Sequence, residues 1–314
     1  MTMKLLATCV LLSSLGGLAE RPGIQFQTGE TLVVELHTQT ENRLKSMRLF
    51  QGETVAGQME TDSAKPSREE RTLRFTDRFV QADGAPFVVR RSFAELLQVL
   101  GTEKAREVRG ELEGRTIVLT AAPDGSVTAE LEGEPDVDAA FLTGHRMPYA
   151  VLGLLPATDV APGDTWELEE PVAFELLGLV DGAKLFAGAS AEKDRFEKLL
   201  TRIAHCKGSA RLDRTEERDG EKCWVLAYEL SVEATSDEFE LGMVGIPHPP
   251  GISKGTMKLE SSGKGTLWIA RDRRAPVARD LALGGTMSVG FAKGDRRTEI
   301  ELSMTHEETQ HWRP

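Results

Sequence analysis

The sequence predicts a mainly β protein of the α+β kind, with one or more curved antiparallel sheets wrapped on a few helices. Three observations carry this. Apolar residues recur at every second position through most of the chain, Asp-Gly and Gly-Asp pairs punctuate the runs, and helical spacing is confined to short stretches.

Residues 1–19 come first and stand apart. Lys4 precedes an apolar run from Leu5 to Leu15, and Gly17-Leu18-Ala19 then places small residues at the minus-three and minus-one positions before Glu20. That is the grammar of a cleaved bacterial signal peptide, too short for a permanent membrane span. Leu6-Ala7-Thr8-Cys9 has the outline of a lipoprotein box, but the apolar run continues past Cys9, so no lipid attachment is expected there. No other stretch approaches the length of a membrane span, so no integral span is expected after cleavage.

Residues 20–155 read as an N-terminal β lobe ending in a helical linker. Leu32, Val34 and Leu36 alternate with Val33, Glu35 and His37; Leu73 and Phe75 alternate with Thr72, Arg74 and Thr76. Ile117 and Leu119 pair with Val127, Ala129 and Leu131 across Asp124-Gly125. The polar stretch from Gly52 to Glu69 reads as a loop. Asp136 is placed to cap a short helix through Ala140 and Phe141, and a second apolar segment carries Tyr149, Val151, Leu152, Leu154 and Leu155 from Pro148 until Pro156 stops it.

Residues 156–314 read as a C-terminal β lobe. A helix over 191–204, with Phe196, Leu199, Leu200 and Ile203 on one face, follows Ser190 as its cap. Trp224, Leu226, Tyr228, Leu230 and Val232 share a strand face; Met287, Val289 and Phe291 precede Gly294-Asp295; Thr298, Ile300, Leu302 and Met304 follow it, with Glu299, Glu301 and Ser303 outward. The segment 245–254, rich in proline and glycine, reads as a loop, and the residues from His306 to His311 as a charged tail. Strands, helices and strands again suggest two similar lobes.

Cys206 and Cys223 remain after cleavage, an even number in an oxidising compartment. The Asp219-Gly220 hairpin, however, pairs residues whose numbers sum to 439, which sets Cys206 opposite Glu233. Ten residues of ribbon at about 3.3 Å each separate the thiols by roughly 33 Å, far beyond disulfide reach. Two free, buried thiols are expected.

The formal charge of -12 repels phosphate backbones overall, so no nucleic-acid partner is expected. Catalytic and cofactor motifs are missing. His306 and His311 are five residues apart, which turns them away from each other on a helix, whereas the zinc-protease arrangement needs four. His145, His205 and His248 are isolated, and a metal or enzymatic site could arise from them only through the tertiary fold. There is no G-x-S-x-G elbow and no phosphate-cradling glycine loop before a helix. Arg90-Arg91 and the run from Arg271 to Arg274 read as solvated faces.

The element Pro156-Ala157-Thr158-Asp159-Val160-Ala161-Pro162-Gly163-Asp164-Thr165-Trp166 resembles the P-x-x-x-V-x-x-G-D-x-W pattern of uncharacterised exported bacterial proteins. The strand pair from Leu112 to Leu131 and the strand Gly265-Thr266-Leu267-Trp268 are similar to flanking segments of that family. The resemblance implies a fold like that of envelope lipoprotein carriers, in which a curved sheet shelters an acyl chain. On chemistry alone, Gly163-Asp164 suits a tight turn and Trp166 a core anchor.

The sequence therefore leads to an exported, non-enzymatic protein of the periplasm or cell envelope, or a secreted one, with no cofactor. Its expected ligand is apolar or lipid-like and lined by Tyr149, Leu152, Phe196 and Leu199. An interaction module docking envelope proteins through strand edges and the 246–252 loop is the alternative.

Overall fold

The computed structural model describes residues 21–60, 65–82, 86–101, 105–122, 126–133, 137–145, 147, 150–177, 185–186, 191–241 and 252–314. The leader, Asp136, Tyr149, Ser190, the Asp124-Gly125 turn and the 246–251 part of the proline loop with His248 fall outside these residues.

The protein is mainly β. In chain order the strands are β1 (Thr31–Gln51), β2 (Thr54–Glu60), β3 (Ser67–Gln81), β4 (Phe87–Leu100), β5 (Arg106–Arg109), β6 (Thr116–Ala121), β7 (Val127–Leu131), β8 (Thr165–Leu168), β9 (Ala204–Arg218), β10 (Glu221–Glu240), β11 (Lys254–Ala270), β12 (Ala275–Lys293) and β13 (Arg296–Arg313). All lie in one antiparallel sheet with the order β7-β6-β4-β3-β1-β13-β12-β11-β10-β9-β8, while β2 adds to β1 and β5 to β4. The first and last strands are neighbours at its centre, where Val34 faces Trp312 and Leu44 faces Leu302.

Alternation assigns the faces. Leu32, Val34, Leu73, Phe75, Ile117, Leu119, Leu226, Tyr228, Leu281 and Ile300 point inward to one core, and that core takes in strands from both halves of the chain. Extra residues break the registers: Lys45 on β1, Ala94 on β4, Asp213 on β9 and Val277 on β12 each stand opposite no partner. Such bulges bend the bulged strand and increase its twist, which lets long strands curve around helices instead of lying flat.

The helical elements cover the inner face sparingly. Two 3-10 turns, Ala139–Leu142 and Ala150–Leu154, stand in place of the expected linker helices. Asp138, rather than Asp136, caps the first, its carboxylate accepting from Ala140 N at 2.9 Å. A short helix α1 (Glu170–Leu176) follows β8, with Pro171 in its first turn and Ala173 and Leu176 buried. The helix α2 (Ala191–Ile203) matches the expected position and sets Leu200 in the core.

Several local expectations need correction. The 52–69 segment is not all loop: β2 occupies Thr54–Glu60 and β3 already begins at Ser67, because β1 is long enough to pair with both. The charged tail is in fact part of β13, between β1 and β12, where its polar residues are stabilised by a full set of ladder bonds. Cys206 faces Val232, not Glu233: the register sums to 439 as far as Val225–Arg214, and the Asp213 bulge shifts it by one beyond. Both thiols are free and buried. Arg90-Arg91 lies on an internal strand, and Arg91 is buried, holding Asp77 through two bonds of 2.7 Å and stacking on Phe75.

Candidate apolar site on the inner face

The register assembles apolar residues that are remote in sequence into rows running across the sheet. Met59, Met47, Ile300, Val289 and Met257 are successive cross-strand partners on β2, β1, β13, β12 and β11. One step inward lies a second row of Leu44, Leu302, Met287, Leu259 and Ala234. At about 4.8 Å between strands, each row is roughly 19 Å long. Cross-strand partners share a face, so all ten side chains project to the inner side.

Burial is uneven along these rows. Met257, Met287, Leu259, Val289 and Ile300 are buried, whereas Met47, Leu44, Leu302 and Met304 are only partly so, and Met59 and Leu49 are 49% and 46% exposed. The helix α2 explains the gradient, because it packs on the β10 side, where Phe196 meets Phe239 edge-on at 6.3 Å between ring centroids. The β1 and β2 side is left half-open. Methionine suits such a surface, since its unbranched, polarisable side chain adapts to occupants of varied shape.

A polar band closes the inner end of this apolar surface. His306 Nδ1 lies 2.9 Å from Thr40 Oγ1, and Glu69 accepts from Gln98 Nε2 at 2.7 Å. Behind them Arg279, with 6% of its side chain exposed, lies 3.3 Å from Glu308 and donates to Leu176 O and to Tyr228 Oη at 3.1 and 3.0 Å. Burial pushes the Glu308 carboxyl upward, but Arg279 and His306 outweigh it and hold the group below its ordinary value. Every buried charge here has a partner, as burial requires.

Of the residues expected to line a ligand, Phe196 and Leu199 lie on α2, half-buried against the core. Leu152 is half-buried in the second 3-10 turn, where Val151 and Leu154 are the buried core residues, and Tyr149 lies outside the described residues. Leu44, Met47, Met59, Leu302 and Met304 were the residues that sequence reasoning missed as lining. Alternation from Leu32 and Val34 marks Leu44 as inward but would turn Met47 outward; the Lys45 bulge returns Met47 to the inner side, and only the cross-strand register places these residues side by side.

Gly163 sits at φ +99°, and Asp164 Oδ2 accepts from Ala161 N at 2.8 Å, closing a tight turn. The turn is pinned to β9 by bonds between Gly163 N and Leu212 O and between Leu212 N and Asp164 O, at 2.7 and 3.2 Å. Trp166 on β8 is partly buried against the core and donates from Nε1 to Leu154 O at 3.1 Å, tying the linker to the sheet.

Among the described residues, the isolated histidines His145 and His205 do not come together. His145 is buried against Phe93, its Nε2 2.8 Å from Phe141 O, while His205 is exposed at the start of β9 beside Glu170. Among the described residues no group of three or more His, Cys, Asp or Glu side chains could hold a metal ion, and no helix is long and apolar enough to cross a membrane.

The sequence matches no known family profile and no curated protein.

Proposed function

We propose that this chain is an exported, non-enzymatic protein of the cell envelope that shelters an apolar or lipid-like molecule on the inner face of its sheet. The observation that carries the reading is the pair of apolar rows that starts half-open at Met59, Met47 and Leu44 and runs into the buried core at Met257 and Leu259. A surface of this kind gains stability when an apolar occupant displaces water from it, at about 25 cal/mol per Å². The leader-like residues 1–19 support export, and the resemblance to carrier folds points the same way.

Displacement of a fluorescent fatty-acid probe tests this reading. Binding in the micromolar range, weakened at least tenfold by Met59→Asp and Met47→Asp while circular dichroism is unchanged, is the expected result. A probe that does not bind, or that binds both variants as well as the original, removes the proposal.

A second reading rests on β2 itself. Val55 and Met59 are each 49% exposed on a strand that pairs, among the described residues, only with β1. An envelope partner adding a strand to that edge would use the chain as an interaction module. A Val55→Lys substitution would then abolish partner capture and leave probe binding intact.

A further inference from the structure

The sheet carries a groove of about 590 Å³, within the size range of small-molecule sites, whose lining joins outward-facing polar residues to Met257, Val289, Phe291 and Ile300, which are buried in the core behind them. Its floor is one cross-strand row, Thr235, Lys258, Ser288, Glu301 and Ser46, spanning β10, β11, β12, β13 and β1. Beside that row Gly290 keeps the floor low, since a Cβ there would come within 2.8 Å of Thr256 Oγ1.

The charge of the groove decides what it can take. Four cations, Arg48, Lys254, Lys258 and Arg297, line it together with four carboxylates, Asp237, Glu238, Glu299 and Glu301. The groove is thus neutral on a chain whose formal charge is -12. Three of the cations are already paired: Lys254 with Glu238 at 2.7 Å, Lys258 with Glu260 at 2.7 Å and Arg297 with Glu299 at 3.2 Å. An anionic ligand would have to break those pairs, and a cationic one would meet them as competitors. A ligand whose own groups both donate and accept hydrogen bonds fits the mixed rows of hydroxyls, ammonium groups and carboxylates without breaking any.

A second groove of about 350 Å³ repeats the chemistry on the same face. Lys207 and Lys264 line it with Glu167 and Glu229, and Ser209, Ser231 and Ser262 supply hydroxyls. Four residues of β11, about 13 Å of strand, separate Lys258 of the first groove from Ser262 of the second. Two neutral, hydroxyl-lined depressions at that spacing suit a ligand that repeats along its length.

We propose that the outer face binds a neutral oligosaccharide chain lying across both grooves, independently of the apolar ligand of the inner face. The test is isothermal titration of the full chain with neutral chitooligosaccharides and cello-oligosaccharides at 50 and 500 mM sodium chloride, with heparin as the polyanionic control. Expected is saturable binding of at least one neutral series, changing less than about twofold with salt because no net charge is exchanged, and weakened at least tenfold by Ser288→Trp, which fills the first groove from an exposed position. Ser46→Tyr, at the other end of the same row, gives the same loss should the tryptophan disturb folding. Absence of saturable binding at millimolar sugar, equal binding by both folded variants, or a preference for heparin that collapses with salt each overturns the proposal.

Discussion

Gly265 on β11 lies directly beneath the ring of Tyr228 on β10, so close that a Cβ at Gly265 would overlap the phenolic carbon and oxygen. The missing side chain lets the tyrosine lie across its neighbour strand, donate to Asp280 O at 3.1 Å and accept from Arg279 Nε at 3.0 Å. The buried polar band therefore depends on a glycine that makes no polar contact through a side chain. Replacing Gly265 by Val is expected to destabilise the fold by about 2–3 kcal/mol through overpacking. Tyr228→Phe keeps the ring and removes the acceptor, leaving Arg279 Nε buried without it, at a cost of about 1–3 kcal/mol. Urea unfolding followed by circular dichroism reads both.

Acid weakens the same band. The Glu308 carboxyl is held below its ordinary 4.5 against the opposing effect of burial, so the folded chain releases this proton more readily than the unfolded one. Its contribution to stability is full above that ordinary value and is lost as pH falls through the lowered folded value. Glu308→Gln is expected to remove that acid-side loss and to cost about 3–5 kcal/mol at neutral pH, since it strands Arg279 without its carboxylate. Thermal melts across pH 7 to 3 distinguish the two effects.

His145 gives a second, separate pH window. Burial, with Arg91 adding to it and a backbone bond to Phe141 opposing, lowers its pKa from 6.5 to about 4. The unfolded chain takes up the proton first, so stability falls as pH drops from about 6.5 to about 4 and this loss stops once both states are protonated. The shift corresponds to about 3 kcal/mol over the window. His145→Phe is expected to flatten that part of the profile, and unfolding free energies at pH 7, 5.5 and 4 provide the check.

The thiols are expected to be inert. Burial, with Glu170 adding to it, pushes the Cys206 thiol up to about 12, and burial also raises that of Cys223. Thiolate is the reactive form, so both cysteines should react with a thiol reagent only after denaturation. The two lie on adjacent strands, but Cys206 pairs with Val232 while Cys223 pairs with Glu216, so no disulfide should form under mild oxidation. Quantitative labelling in native buffer and in guanidinium gives the count.

Much of the sheet was legible because alternation is a local signal. Trp224, Leu226, Tyr228, Leu230 and Val232 are buried as their spacing required, and the Gly294-Asp295 pair does turn β12 into β13. What alternation cannot supply is which strands become neighbours. His306 to His311 looked like a tail because its charges suit solvent, yet its place between β1 and β12 is set by long-range pairing. The Asp213 bulge is equally silent: one unpaired residue moved Cys206 from Glu233 to Val232, with no glycine or proline to mark it. The apolar rows of the candidate site fall in the same class, because Met47, Met59 and Ile300 meet only through the register.

Those rows offer the most direct test of the account. With methyl-labelled methionine, the half-open Met47, Met59 and Met304 and the buried Met257 and Met287 each report separately, assigned by single Met→Leu substitutions. On titration with a soluble medium-chain fatty acid, the resonances of Met47, Met59 and Met304 should shift and saturate together, with smaller changes at Met257 and Met287. A spectrum in which the three half-open methyls stay in place while the acid is in excess would contradict an apolar ligand on this face.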